Sequence, residues 1–353
     1  MCIRDSQSTS ASISGDGRFV AFESRATNLV DFRGEDDNRA DDTFIHDTVT
    51  GQTEVVLSPA ATVGNRPSFN PSISGDGRFV GFESDADNLI FDDETGGDEN
   101  ETRDVFVYDR TTSQVRRVSV SSDGVAGNGP SSDPEISADG RFVVFESRAS
   151  NLVPNDTNAF SDHTDVFLHD LQLGTTTRVS VDAKGRQASG SSEFPHLTPD
   201  GRYVVFGSSA SNLVDGDIND LYDIFRKDTV TGDIIRVNVS SEGVEADDGN
   251  SDDPSISADG RYVAFASGAD NLVPDDLNKQ FDVFVHDVET GTTTRLSVDQ
   301  DGRQAIGDSF LPTIDAAGRV ISFESDAPTL SSLDNNRVSV VFLGDVPPPA
   351  ADP

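Results

Sequence analysis

The chain has almost no sulfur and no tryptophan: Cys2 is its one cysteine, Met1 its one methionine, and there is no Trp in 353 residues. A single thiol cannot close an internal disulfide, and zinc sites of the paired-cysteine type are excluded. Basic residues are scarce as well. Lys and Arg number 26 against 63 Asp and Glu, a net charge of −37, and the lysines are Lys184, Lys227 and Lys279 alone. Such a balance excludes nucleic acid as a natural partner and disfavours an anionic membrane surface, because both need the opposite sign. Long apolar runs are missing too. With 34% apolar residues and a mean hydropathy of −0.40, nothing approaches the roughly 20 apolar residues that span a bilayer, so no membrane insertion is expected. Against these absences stand 22 phenylalanines, too many for a disordered acidic tail. A folded core is implied.

The strongest pattern is internal repetition. Asp-Gly-Arg followed by Phe or Tyr begins at Asp16, Asp76, Asp139, Asp200 and Asp259, and a weaker sixth copy holds Gly318 and Arg319. The glycines are 60, 63, 61, 59 and 58 residues apart, so the whole chain reads as one array with no second globular domain. Each unit reads as four short strands. A Pro-led strand, as at 71–74 or 254–257, enters a tight turn whose Asp-Gly supplies positive φ. The second strand, as at 19–22 or 142–145, is apolar on both faces and so is covered from both sides. A third strand, as at 105–109, closes in an Asp-x-x-Thr-Gly turn, and a fourth reads Arg178-Val179-Ser180-Val181 or its equivalents. Six such units of about 60 residues, with four-stranded antiparallel blades, predict an all-β chain folded as a six-bladed β-propeller.

The recurring Pro-[Ser/Thr]-Ile-Ser-x-Asp-Gly-Arg-[Phe/Tyr]-Val-x-Phe, with the later Asp-[Val/Ile]-Phe-x-x-Asp-x-x-Thr-Gly, resembles the WD-type repeats of TolB-like six-bladed propellers over residues 11–346. The resemblance implies a fold and little more. Proteins similar to it include periplasmic scaffolds and noncatalytic propellers attached to peptidases, and no catalytic residue transfers with it.

At the ends the repeat is incomplete. The sixth unit passes from Val341-Phe342-Leu343 straight into Val346-Pro347, so its fourth strand is expected from the N-terminus, which leaves the last blade incompletely closed if none is supplied. Residues 1–10 match no part of the repeat, and we expect a truncated or wrongly assembled start that has lost the closing strand. Residues 347–353 read as a Pro-rich tail or the beginning of a linker.

Chemistry concentrates between the second and third strands, where Asp-x-Asn-x-x-x-Asp recurs. Its copies are Asp36, Asn38, Asp42; Asp98, Asn100, Asp104; Asp156, Asn158, Asp162; Asp217, Asn219, Asp223; and Asp276, Asn278, Asp282. Oxygen ligands at positions 1, 3 and 7 suit calcium, which is the cofactor these loops suggest. The alternative is that Asp and Asn form Asx-turns that start the third strand and need no metal. His46, His169 and His286 share one repeat position and therefore stand in different blades. There is no Gly-x-Ser-x-Gly, phosphate loop or Gly-x-Gly-x-x-Gly, and the Arg of each Asp-Gly-Arg calls for a structural partner such as a neighbouring Asp.

The function expected is a non-catalytic interaction or scaffold propeller, secreted or periplasmic, whose partner is a protein or a polysaccharide. Its alternative is a polysaccharide-active hydrolase or lyase with a carboxylate-lined site at the mouth of the central channel. An active site would break the repeat symmetry, and the departures legible in the sequence are length changes such as 95–99 and 161–164.

Overall fold

A computed structural model of the chain describes residues 8–30, 40–58, 62–90, 102–157, 163–330 and 340–346. Among the described residues there are 23 strands and no helix. They form six sheets in which each strand pairs antiparallel with its neighbour in sequence. Blade 1 is β1 (Ser8–Ile13), β2 (Phe19–Ser24), β3 (Asp42–Asp47) and β4 (Gln52–Val55); blade 2 is β5 (Ser68–Ile73), β6 (Phe79–Ser84), β7 (Asp104–Asp109) and β8 (Gln114–Arg117). Blade 3 is β9 (Ser131–Ile136), β10 (Phe142–Ser147), β11 (Asp165–Asp170) and β12 (Thr175–Arg178); blade 4 is β13 (Ser192–Leu197), β14 (Tyr203–Ser208), β15 (Asp223–Asp228) and β16 (Ile234–Arg236). Blade 5 is β17 (Ser251–Ile256), β18 (Tyr262–Ser267), β19 (Asp282–Asp287) and β20 (Thr292–Arg295), and blade 6 is β21 (Ser309–Ile314), β22 (Val320–Ser325) and β23 (Val340–Asp345). The fold class is the expected one, a six-bladed β-propeller whose last blade has three strands. Residues 1–7 of the non-repeat start and the tail 347–353 lie outside the described residues. The chain divides into two compact units, one carrying blades 1 to 3 and the other blades 4 to 6.

The core lies between successive sheets of each unit. Val80, Phe82 and Phe106 of blade 2 bury themselves against Ala21 and Ile45 of blade 1, and Val263, Phe265 and Phe284 of blade 5 against Val205 and Ile224 of blade 4. In every blade a Phe of the second strand packs against a Phe of the third, with ring centroids 5.7 to 5.9 Å apart, stacked in all but blade 4, where the rings are tilted. Phe and Val favour strands, and residues buried on both faces explain why the second and third strands do not alternate.

The Asp-Gly turns do two jobs. Asp76 Oδ1 accepts from Ser74 Oγ at 2.7 Å and from the Arg78 N–H at 2.9 Å, while Gly77 takes φ +70. The Phe19 ring of the preceding blade lies against Gly77, where a Cβ would come within 2.2 Å of it. The same ring-on-glycine contact recurs for Phe79 on Gly140 and Tyr203 on Gly260, so the repeat motif is also the blade-to-blade contact.

Two strand boundaries differ from expectation. The first strand is not Pro-led: β5 begins at Ser68, three residues before Pro71, and is bulged at Asn70, which has φ +47. Proline has no N–H for the ladder, and the bulge takes up the break. The fourth strand is shorter than read, because β12 ends at Arg178, and Val181 makes only an isolated bridge to Gln187.

Candidate functional site

Each Asp/Asn loop delivers a buried carboxylate to the start of a third strand. Asp42, Asp104, Asp223 and Asp282 are the first residues of β3, β7, β15 and β19. In blade 3 that place is held by Asp165, three residues beyond Asp162, because the longer loop displaces the register. Asp36, Asn38, Asp98, Asn100, Asn158 and Asp162 lie outside the described residues.

A guanidinium from the end of the fourth strand meets these aspartates. Arg178 Nη2 is 3.0 Å from Asp156 and its Nε 3.7 Å from Asp165, Arg295 Nη1 is 3.3 Å from Asp276 and 3.7 Å from Asp282, and Arg117 Nε is 3.4 Å from Asp104. In blade 4, Arg236 Nη1 reaches Asp217 at 3.5 Å, Asp223 at 3.2 Å and Glu245 at 2.6 Å. Blade 1 has Val55 in this position. The residue two beyond the arginine adds a second support: Ser119 Oγ donates to Asp104 Oδ1 at 2.6 Å and Asn238 Nδ2 to Asp223 Oδ1 at 2.5 Å.

The described loop asparagines, in blades 4 and 5, face inward on their own backbone. Asn219 Oδ1 accepts from the Leu221 N–H at 2.9 Å and Asn278 Oδ1 from the Gln280 N–H at 3.0 Å, while their amides donate to the carbonyls of Ala246 and Ala305. These are Asx-turns. Calcium takes six to eight oxygens. In blades 4 and 5 the Asn oxygen is engaged in its own loop and the carboxylates hold a guanidinium, so there the donor set does not fit a hard cation while the arginine is in place.

Blade 4 is the most acidic of these clamps. Carboxylate oxygens of Asp217, Asp223 and Glu245 lie within 4.8 Å of one another around Arg236. Burial, with the Asp223 charge adding to it, pushes Asp217 up to about 6 against the pull of Arg236. Burial raises Asp223 and Asp282 as well. Blade 5 has Gln304 where blade 4 has Glu245, and its amide donates to both Asp276 and Asp282.

The remaining repeated polar residues are also framework. Arg18, Arg78, Arg141, Arg202 and Arg261 pair with the aspartate ending the third strand of their own blade at 2.6 to 2.9 Å. His46, His169 and His286 each bring Nδ1 to 2.9 Å from a threonine hydroxyl on the fourth strand. Burial holds His169 and His286 down near 4, so both are neutral rings at ordinary pH. In blade 4 the position belongs to Lys227, whose Nζ donates to the carbonyls of Val181, Asp182 and Gly232.

What differs from blade to blade is a trio that the register sets side by side: the second residue of the first strand, its partner on the second strand, and the residue before the third strand. Blade 2 has Phe69, Glu83 and Arg103. There the guanidinium lies 4.7 Å over the Phe69 ring, with Nη1 3.0 Å from Glu83 and Nε 2.9 Å from Asp85. Glu83 also accepts from the Asp133 N–H at 2.8 Å, and burial pushes it up to about 7. Blade 4 has Glu193, Gly207 and Tyr222: the tyrosine ring lies 3.3 Å from where a Gly207 Cβ would stand, and its hydroxyl donates to Glu193 Oε2 at 2.8 Å. Blade 5 has Asp252, Ala266 and Phe281, whose ring centroid is 6.5 Å from that of Phe310. Burial, then the charges of Asp253 and Glu193, raise Asp252. Phe194 and Leu311, on the bulges of β13 and β21, are 40% and 54% exposed. These substitutions, and not only loop lengths, break the repeat. Aligning the residues before the third strands as Asp41, Arg103, Thr164, Tyr222 and Phe281 is the sequence signal that finds them.

No family model matches the chain, and no curated protein sequence does. Among solved structures it is similar to the β-propeller domain of the Trilobed protease from Pyrococcus furiosus, at 10% identity over 96% of this chain and 82% of that one, with a TM-score of 0.56. It is similar to acylaminoacyl peptidase from Pyrococcus horikoshii at 12% identity over 91% of this chain and 43% of that one, TM-score 0.51. TolB from Acinetobacter baumannii gives 16% identity over 82% of this chain and a TM-score of 0.45; this chain spans about half of that protein, 54%. The likenesses concern the fold alone, a β-propeller like the domain carried by the Trilobed protease.

Proposed function

We propose that the chain is a non-catalytic interaction propeller that works outside the cytoplasm. One observation carries the reading: the repeated charges of blades 1 to 5 are consumed by the framework, as Arg–Asp pairs within the blade, while the residues that vary between blades gather at the start of the first and third strands. Variation on a constant scaffold is how a binding surface is specified. The single cysteine and the acidic, lysine-poor composition support a secreted or periplasmic setting. A second reading has its own support. Asp252, raised by burial and by neighbouring carboxylates, beside Glu193 and aromatic rings, is the kind of carboxyl pair that could act on a polysaccharide. Assay of the purified chain against a panel of acidic and neutral polysaccharides separates the two. The interaction reading expects no turnover, and turnover that Asp252→Asn abolishes would replace it with the hydrolase or lyase.

A further inference from the structure

We propose that Glu193, Tyr222, Asp252 and Phe281 receive an arginine side chain of a partner protein; this rests on the interaction reading above. The chain contains its own precedent. In blade 2 the trio is completed internally by Arg103, which stacks on Phe69 and pairs with Glu83 and Asp85. The residue before the third strand is held in the same way in blades 2, 4 and 5, its carbonyl accepting from the first serine of the following blade: Arg103 from Ser131 at 2.8 Å, Tyr222 from Ser251 at 2.9 Å and Phe281 from Ser309 at 2.7 Å. In blades 4 and 5 this backbone presents a ring and no guanidinium, and the carboxylates move to the first strand as Glu193 and Asp252. Gly207 and Ala266 replace the second-strand glutamate, and in blade 4 the Tyr222 ring lies over Gly207 on the side where blade 2 has the Glu83 side chain.

What remains is ring plus carboxylate without the cation. Among the described residues no arginine or lysine pairs with Glu193, Asp252 or Asp253. The raised Asp252 agrees with this, since a neighbouring guanidinium would lower it. A guanidinium fits such a place better than an ammonium, because it is flat enough to stack on an aromatic face and forked enough to meet a carboxylate with two N–H groups. The net charge of −37 draws a basic partner toward the surface, and the trio decides which side chain seats.

The experiment titrates the full chain, at 150 mM NaCl, with a twelve-residue Gly/Ser peptide carrying three arginines, against the same peptide with three lysines. Arginine is expected to bind at least fivefold tighter, with Glu193→Gln/Asp252→Asn and Phe281→Ala each weakening it tenfold or more. A control of equal charge change, Asp123→Asn/Asp301→Asn in exposed loops, is expected to leave it unchanged. Both carboxylate changes are isosteric, and melting curves confirm that each variant is folded. Equal affinity for the two peptides, or equal loss in the control, overturns the proposal. A photo-crosslinking residue at Phe194 separates its failure from that of the parent reading. A partner captured there and not displaced by the arginine peptide overturns the arginine assignment alone; no capture and no peptide binding overturn both.

Discussion

At the residue scale the informative group is the arginine ending the fourth strand of blades 2 to 5. A guanidinium held between buried aspartates stabilises only while the set is complete, since either partner alone is a charge removed from water. Arg295→Leu leaves Asp276 and Asp282 facing one another, and we expect a loss of about 3–5 kcal/mol by urea denaturation. Arg18→Leu, which breaks a solvent-exposed pair, should cost far less. Blade 4 adds a pH signature. Asp217 sits near 6, above its ordinary value near 4, so the folded protein holds a proton that the unfolded chain releases. Its contribution to stability is full below about pH 4 and is lost as pH rises through 6. Glu245→Gln removes a carboxylate that raises Asp217 and should shrink this loss. Melting temperatures at pH 4.5 and 7 test it, and an unaltered difference between them would count against the cluster as described.

At the element scale, the turns and strands divide into what local chemistry dictates and what only pairing reveals. Gly77 and Gly51 both have φ near +70, but a Cβ at Gly51 meets nothing within 4 Å while one at Gly77 meets the Phe19 ring. Gly51→Ala should cost about 1 kcal/mol for the strained φ alone, and Gly77→Ala clearly more. Phe19→Ala in the same chain should recover part of that excess, a coupling a double-mutant cycle measures. Asp-Gly, the apolar second strand and the repeat length were legible because each is a local signal. The bulge at Asn70 was not, since Pro71 reads as a strand start until the partner strand shows that pairing continues before it. Counting along the loop picks out Asp162, which lies outside the described residues, and not Asp165, which opens the third strand of blade 3 after a longer loop. The arginine clamps were hidden for a related reason: Arg236 and Asp217 meet only through the register of the third and fourth strands. The variable trios join two strands and the residue before a third, so no short window of sequence contains one.

At the scale of the whole molecule, a charge of −37 on 353 residues sets how the protein answers its solvent. The Arg–Asp pairs neutralise charges locally, but 26 basic residues cannot match 63 acids, and the surplus repels itself across the surface. Raising the salt from 0.01 M to 1 M shortens the screening length from about 30 Å to about 3 Å, so sodium chloride should raise the melting temperature steadily. Calcium offers the sharper comparison. A specific site would add about 2.7 kcal/mol once free calcium reaches roughly a hundred times its dissociation constant. In the clamps described in blades 3 to 5 the oxygens that calcium needs hold Arg178, Arg236 and Arg295, and in blades 4 and 5 the asparagines serve their own turns, so we expect no calcium increment from them. Calcium and sodium chloride of matched ionic strength should therefore give the same melting curve. A calcium increment that disappears in Asp276→Asn/Asp282→Asn would instead put a metal where Arg295 lies, and with it the cation of the clamp would be calcium and not the guanidinium.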